Sequence, residues 1–410
     1  MRYRALETGY IYIDGEFKSN LAVIFDTEII DIDRADIIES KYGVEVFRYP
    51  KTSILYPGFI NTHTHLEFSA NRTTLKYGSF LDWLYSVIEN REDLVQNCTN
   101  SIMFKSCQEM LSSGVTTFGA ISSFGVDLEV CRKTPQKVIY FNELIGSNPA
   151  YVDMLYSDFI NRVEESKRDA SLFKITPSVA IHAPYSVHPV VLKRALEFAK
   201  ENRYFVTAHL LESKAERDWL ECSGGEFLKF FQKYFNSSCA VTSIREFIDS
   251  FKDIQTHFVH LTDANYKELK LLKEYNHSIA HSPRSNRLLG CGRLDLLSVI
   301  DLNIPFTVAT DGLSSNYSLN IFDELRTALF MHYKFDLNIL AKLLIDSVTI
   351  NPAKIFNLNR GEIAIGREAD FAIINLPDII REEDIALWTI LHTEEAITYI
   401  DGERVNFVDG

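Results

Sequence analysis

Eight short apolar runs punctuate the middle of the chain: SILYPGFINT, VTTFGAIS, KVIYFNELIG, KITPSVAIHA, RYFVTAHLL, IQTHFVHL, HSIAHS and IPFTVATDG. Between most of them lie longer stretches such as FLDWLYSVIENRE, VVLKRALEFAKENR and NYKELKLLKEY, whose apolar residues recur every three or four positions. Near-continuous apolar strands are those buried on both faces, and strands that alternate with helices pair in parallel. Eight such units predict an α/β fold, a closed (β/α)8 barrel of TIM type. The competing open, doubly wound sheet needs a glycine-rich turn between strand and helix, and GCGRLD at Gly290 is too short and wrongly placed to be one.

Both ends of the chain differ from this middle. GYIYIDGEFKSN and LAVIFDTEIIDI near the start, and GEIAIGREADFAIINL and AITYIDGERVNF near the finish, read as short strands joined by turns. Asp14-Gly15 and Asp401-Gly402, each flanked by β-branched and aromatic residues, are hairpin signals. The expected organisation is a β-sandwich assembled from residues 1–53 and 357–410, with the barrel spanning 54–356. Residues 223–250 exceed an ordinary crossover and read as an inserted excursion.

Composition removes several function classes. A net charge of −14 argues against nucleic acid held on a broad basic face. The N-terminal stretch has no apolar signal core, and no segment has the ~18 uncharged apolar residues of a membrane span. Six scattered cysteines without a CxxC pair read as reduced thiols of a cytoplasmic protein.

The polar residues fall in a pattern. Active sites of such barrels gather at the C-terminal ends of the strands. Seven of the eleven histidines sit near those ends: His63 and His65, His182, His209, His257 and His260, and His281. Glu212 follows His209 by three residues, and Asp311 follows the eighth apolar run. Side chains at i and i+2 of an extended chain share a side, so His63 and His65 converge. Imidazole and carboxylate together suit Zn²⁺ or Fe²⁺, with a position left open for water. His63, His65, His209 and Asp311 supply three nitrogens and an oxygen, and Glu212 is placed to carry a proton.

In this order, PGFINTHTH, HLLE, THFVHL and ATDG resemble the amidohydrolase superfamily, and within it the one-metal aromatic deaminases. The tail NPAKIFNLNRGEIAIGREADFAIINL is similar to that family's return from barrel to sandwich, so the likeness runs almost the full chain. It implies one divalent metal, Zn²⁺ with Fe²⁺ as the alternative, on His63, His65, His209 and Asp311. Glu212, His257 and Asp311 are the implied catalytic residues. Histidines 257 and 260 face opposite sides of an extended strand, so only one reaches the site; the resemblance selects His257 and leaves His260 structural. The two-metal branch bridges its ions with a lysine on the fourth strand, and Lys174 stands at the wrong end of that strand for the role.

Other residues are expected at the substrate. His182 and His281 with Asn286 are candidates to shape the pocket, Asp82 to grip ribose hydroxyls, and Glu67 to read a ring nitrogen or to line the mouth. HLEFSANRTTLKYGSFLDWLYSVI and HAPYSVHP look most like deaminases of 6-aminodeoxyfutalosine, relatives of those acting on S-adenosylhomocysteine and 5′-methylthioadenosine. The implied partner is therefore a small purine nucleoside, with no nucleic acid and no membrane, and such relatives often form homodimers. A ring-opening cyclic amidohydrolase and a barrel that only binds a partner are the competing readings.

Overall fold

The computed structural model describes residues 3–146, 148–168, 170–379 and 381–405. All eight expected barrel strands form, in chain order: Phe59–Thr64, Val115–Ser122, Lys137–Leu144, Ile175–Ile181, Val206–Leu210, Thr256–His260, Ser278–His281 and Phe306–Val308. Each pairs in parallel with the next through one eight-stranded sheet. The fold is a TIM-type barrel. Outward-facing residues such as Phe118, Val179 and Phe258 are fully buried under the surrounding helices. Each apolar side chain of that size contributes roughly 1.5–3 kcal/mol by leaving water.

The seam between the eighth and first strands is closed mostly by side chains. Asn61 Nδ2 donates to Thr310 Oγ1 at 2.8 Å, while Thr310 N donates to Asn61 Oδ1 at 3.1 Å. Below them the Thr62 and Thr307 hydroxyls meet at 2.7 Å. Above them Asp311 N donates to the His63 carbonyl at 3.0 Å, which sets the end of the last strand beside the end of the first.

The sandwich joins the two chain ends as expected. One sheet holds Ile29–Asp33, Ala22–Phe25, Arg4–Glu7 and Val46–Arg48; the other runs from Glu403–Arg404 through Ile397–Ile400, Phe371–Asn375, Ser53–Pro57 and Tyr10–Ile13 to Glu16–Ser19. Leu6, Val23, Phe25, Leu55 and Phe371 fill the space between them. Both Asp-Gly turns carry positive φ at the two central residues, the geometry that the hairpin signal demands.

One boundary moves. SILYPGFINT reads as a single strand, yet Ser53–Pro57 belongs to the sandwich and only Phe59–Thr64 to the barrel. The break falls at Gly58, where a Cβ would lie 2.2 Å from Thr116 Oγ1. Glycine is therefore required where the chain passes from one sheet to the other. No described helix is long and apolar enough to cross a membrane.

Candidate active site

The cluster stands at the C-terminal rim of the barrel. His63 is fully buried, and its Nε2 lies 3.2 Å from His209 Nε2 and 3.7 Å from Asp311 Oδ1. His65 Nε2 is 3.6 Å from the same oxygen. The ring nitrogens of His63, His65 and His209 lie within 4.8 Å of one another, as do ligand atoms of His63, His260 and Asp311. His209 arrives in a defined tautomer, because its Nδ1 bonds the His182 carbonyl at 2.7 Å and leaves the Nε2 lone pair free.

The donor set fits a divalent cation. Burial drives His63 well below its usual pKa and His209 down to about 3, with neighbouring histidines pushing the same way. Both rings therefore favour the neutral form, and their Nε2 atoms, 3.2 Å apart, can ligate one shared cation when each turns its lone pair inward. Asp311 supplies the anion. Burial raises its carboxyl, but His65, His260 and His209 and the Ser285 hydroxyl outweigh that and hold it below the usual range. Its Oδ1 accepts from Gly312 N at 2.7 Å; its Oδ2 accepts from the Ser285 and Ser315 hydroxyls at 2.8 and 2.9 Å.

Glu212 is buried and its Oε1 lies 3.5 Å from His260 Nε2. Burial, then Asp311 and Glu216, lift its pKa well above the ordinary carboxylate range, which favours the proton-carrying form. Its loop is held from behind: Glu216 accepts from the backbone N–H of Leu211 and of Glu212, both at 2.8 Å.

The structure reverses the expectation for the sixth strand. His257 does point into the barrel, but near its N-terminal end, where Nδ1 meets Ser278 Oγ at 2.8 Å and Nε2 meets Thr307 Oγ1 at 3.0 Å. Phe258 faces outward onto Phe251 and His277, and Val259 faces inward onto Ala280 and Ala309. Alternation would turn His260 outward again. Instead His260 takes φ 74° and Leu261 φ 53°, and this left-handed kink swings the imidazole back over the cluster. Asn286 Oδ1 then fixes it by accepting from Nδ1 at 2.9 Å.

The expectations for four further residues change. Glu67 is buried and faces away from the cavity; its carboxylate accepts from the backbone N–H of Ser123, Phe124 and Val126, fastening the loop after the second strand. Asp82 is exposed in the first turn of helix Phe80–Asn97 and does not line the cavity. His281 lies behind the wall with its Nε2 3.0 Å from His332 Nε2. Asn286 acts on His260 and does not line the cavity either. His182 does line it, held by Ser186 at 2.6 Å. Lys174, at the opposite end of its strand from the histidines, pairs with Asp401 at 2.6 Å.

Above the cluster opens a cavity of about 240 Å³ whose walls the sequence reading largely missed. Glu143, buried at the end of the third strand, lines it and obeyed the same strand-exit rule that exposed the histidines. Trp83, Leu84, Val87, Ile88 and Arg91 contribute one face of helix Phe80–Asn97. Phe230, Phe231 and Phe235 come from helix Glu226–Phe235 inside the insertion, where EFLKFFQKYF already shows helical aromatic spacing.

Fold and site together define a metal-dependent hydrolase of the amidohydrolase type, and the sequence pattern of the Amidohydrolase family matches residues 54–405. The chain belongs to that family. It is 44% identical to the aminodeoxyfutalosine deaminase of Nitratiruptor sp. over 93% of this chain and 94% of that one. It is 34% identical to an adenosine deaminase of Helicobacter pylori, over 95% and 96%. The crystal structure of Helicobacter pylori aminofutalosine deaminase in complex with methylthio-coformycin superimposes with a TM-score of 0.93 at 33% identity, covering 98% of this chain and all of that one.

Proposed function

We propose that the protein is a hydrolytic deaminase of an adenine-bearing nucleoside, converting 6-aminodeoxyfutalosine to its hypoxanthine counterpart and ammonia in the futalosine route to menaquinone. The full-length likeness to the Nitratiruptor enzyme carries this reading. The family ordinarily works with a divalent ion, and His63, His65, His209 and Asp311 are the residues that would hold it here, as Zn²⁺ or alternatively Fe²⁺. When bound, such an ion lowers the pKa of a coordinated water toward ~7, making hydroxide available at neutral pH.

The protein's own groups then divide the proton work. Glu212, whose pKa burial raises, gives a proton to the purine N1 and makes C6 electrophilic. His260 is kept neutral chiefly by burial, and with its Nδ1 proton committed to Asn286 its Nε2 accepts from the incoming hydroxyl. Asp311 Oδ2 lies 4.0 Å from that nitrogen and faces the same point as an anion, so the attacking hydroxyl keeps its single proton through the addition. Water has then added across C6 and N1. Glu212, now a carboxylate, takes the C6 hydroxyl proton and passes it to the exocyclic nitrogen. The C6–N bond breaks, ammonia leaves, C6–O becomes the hypoxanthine carbonyl, and the proton the water lost on becoming hydroxide restores Glu212.

The test is ammonia release, with metal content measured on the same sample, from 6-aminodeoxyfutalosine, S-adenosylhomocysteine, methylthioadenosine and adenosine. Fastest turnover of the first is expected. Preference for another moves the substrate while keeping the chemistry. No ammonia from any of them with metal bound overturns the deaminase reading in favour of cyclic amides.

A further inference from the structure

The outer part of the cavity is built differently from its floor. The floor holds His65, His182, His209, Glu212, His260 and Asp311. The outer walls are aromatic: Phe68 against Phe124 with ring centroids 6.4 Å apart, and Phe230 against Phe235 at 5.9 Å. Phe124 is 40% exposed and Phe235 47%, so flat apolar surface is left open at the mouth. Such surface favours a planar apolar group on the ligand.

One cation overlooks this mouth. Among the cavity-lining residues, Arg91 alone carries a positive charge. It lies on the cavity face of helix Phe80–Asn97, eight residues beyond Trp83, whose indole N–H is anchored at 2.8 Å on the Ser314 carbonyl, three residues from Asp311. Eight residues advance about 12 Å along a helix, which carries Arg91 from the chemical end of the cavity to its rim. Its guanidinium sits 5.9 Å from the centre of the Phe124 ring. No ion pair to it is found among the described residues, although many exposed acids and bases elsewhere are paired. In a protein of net charge −14, a cation held over an aromatic wall at a ligand cavity is set for an anion on the ligand.

We infer that Arg91 and the aromatic rim form a subsite for an aryl carboxylate at the end of the substrate remote from the purine. The inference rests on the substrate reading above, since 6-aminodeoxyfutalosine ends in a benzoate. The aryl ring stacks among Phe68, Phe124, Phe230 and Phe235, and the carboxylate takes the guanidinium that none of the described carboxylates claims. Arg91 thus selects among adenine nucleosides and has no part in the bond-breaking step.

The experiment is steady-state kinetics of wild type, Arg91→Met and Arg91→Lys on 6-aminodeoxyfutalosine, its benzoate methyl ester and methylthioadenosine. Wild type is expected to prefer the free carboxylate. In Arg91→Met the ratio of kcat/KM for the carboxylate over that for its ester falls about 10- to 100-fold, carried by KM, and Arg91→Lys restores part of it. A ratio unchanged in Arg91→Met, with wild type preferring the carboxylate, overturns this inference alone. Wild type that does not distinguish the acid from its ester overturns the subsite, while preference for methylthioadenosine over both removes the substrate reading on which it stands.

Discussion

The two ends of the barrel each gather acidic or ligating side chains, and they resolve their charge in opposite ways. At the N-terminal end Glu368, Asp370 and Asp401 bring oxygens within 4.8 Å of one another, as a cation site does. There the chain supplies its own cation: Lys137 reaches the three carboxylates at 2.6, 2.8 and 2.7 Å, with Arg360 and Lys174 adding contacts to Glu368 and Asp401. At the C-terminal end three imidazoles and Asp311 converge with no lysine or arginine among them. A knot of acids answered by lysine holds the sandwich to the barrel. A knot of imidazoles around one acid has the donor set of a divalent-metal site.

Replacing one member at each end sharpens that contrast. Asp311→Ala has the largest expected effect, loss of bound metal together with roughly 10³-fold or more of activity, read by metal analysis and ammonia release. Glu212→Gln separates chemistry from ligation: turnover falls about 10²- to 10⁴-fold while metal content stays stoichiometric. Metal lost from that variant refutes the division of roles.

Lys137→Met strikes the other end. It strands three carboxylates and costs on the order of 3–5 kcal/mol in denaturant unfolding, with the metal content of the folded protein unchanged. Acid tests the same cluster. Despite burial, Glu368 and Asp401 are held below their ordinary pKa by Arg360, Lys137 and Lys174. Their contribution is complete above the unfolded values of about 4.3 and 3.9, and is lost as pH falls below them toward the lower folded values. Asp370, raised by burial, works in the opposite sense. Wild type therefore loses Tm below about pH 4.5, and Lys137→Met loses less of it over the same range.

The smallest effect belongs to the sixth strand. His260→Gln lowers kcat, whereas His257→Gln leaves it within about tenfold and mainly costs ~1–3 kcal/mol of stability through lost buried hydrogen bonds. The reverse result restores His257 to the chemistry.

Much of this was legible from residue order. Eight apolar runs fixed the barrel because strand burial is written in hydrophobic pattern, and HTH, HLLE and ATDG marked strand exits by their abrupt polarity. What escaped depends on backbone direction. Strict alternation places His260 outside, and only a left-handed φ, which an ordinary residue does not announce, returns it. Glu67 stands where a reader of substrate would stand, but three backbone N–H groups claim it. Half of the aromatic rim, Phe230 and Phe235, comes from an insertion whose helix packs back over the mouth, a tertiary event that spacing alone does not locate.

The seam has a consequence for biosynthesis. Asn61 and Thr310, whose bonds close the ring, lie 249 positions apart, and Asp311 joins His63 across the same gap. During translation the first-strand histidines emerge early and remain incomplete until the eighth strand has left the ribosome. No partly made chain can bring Asp311 to His63, so the cluster is complete only once the ring has closed.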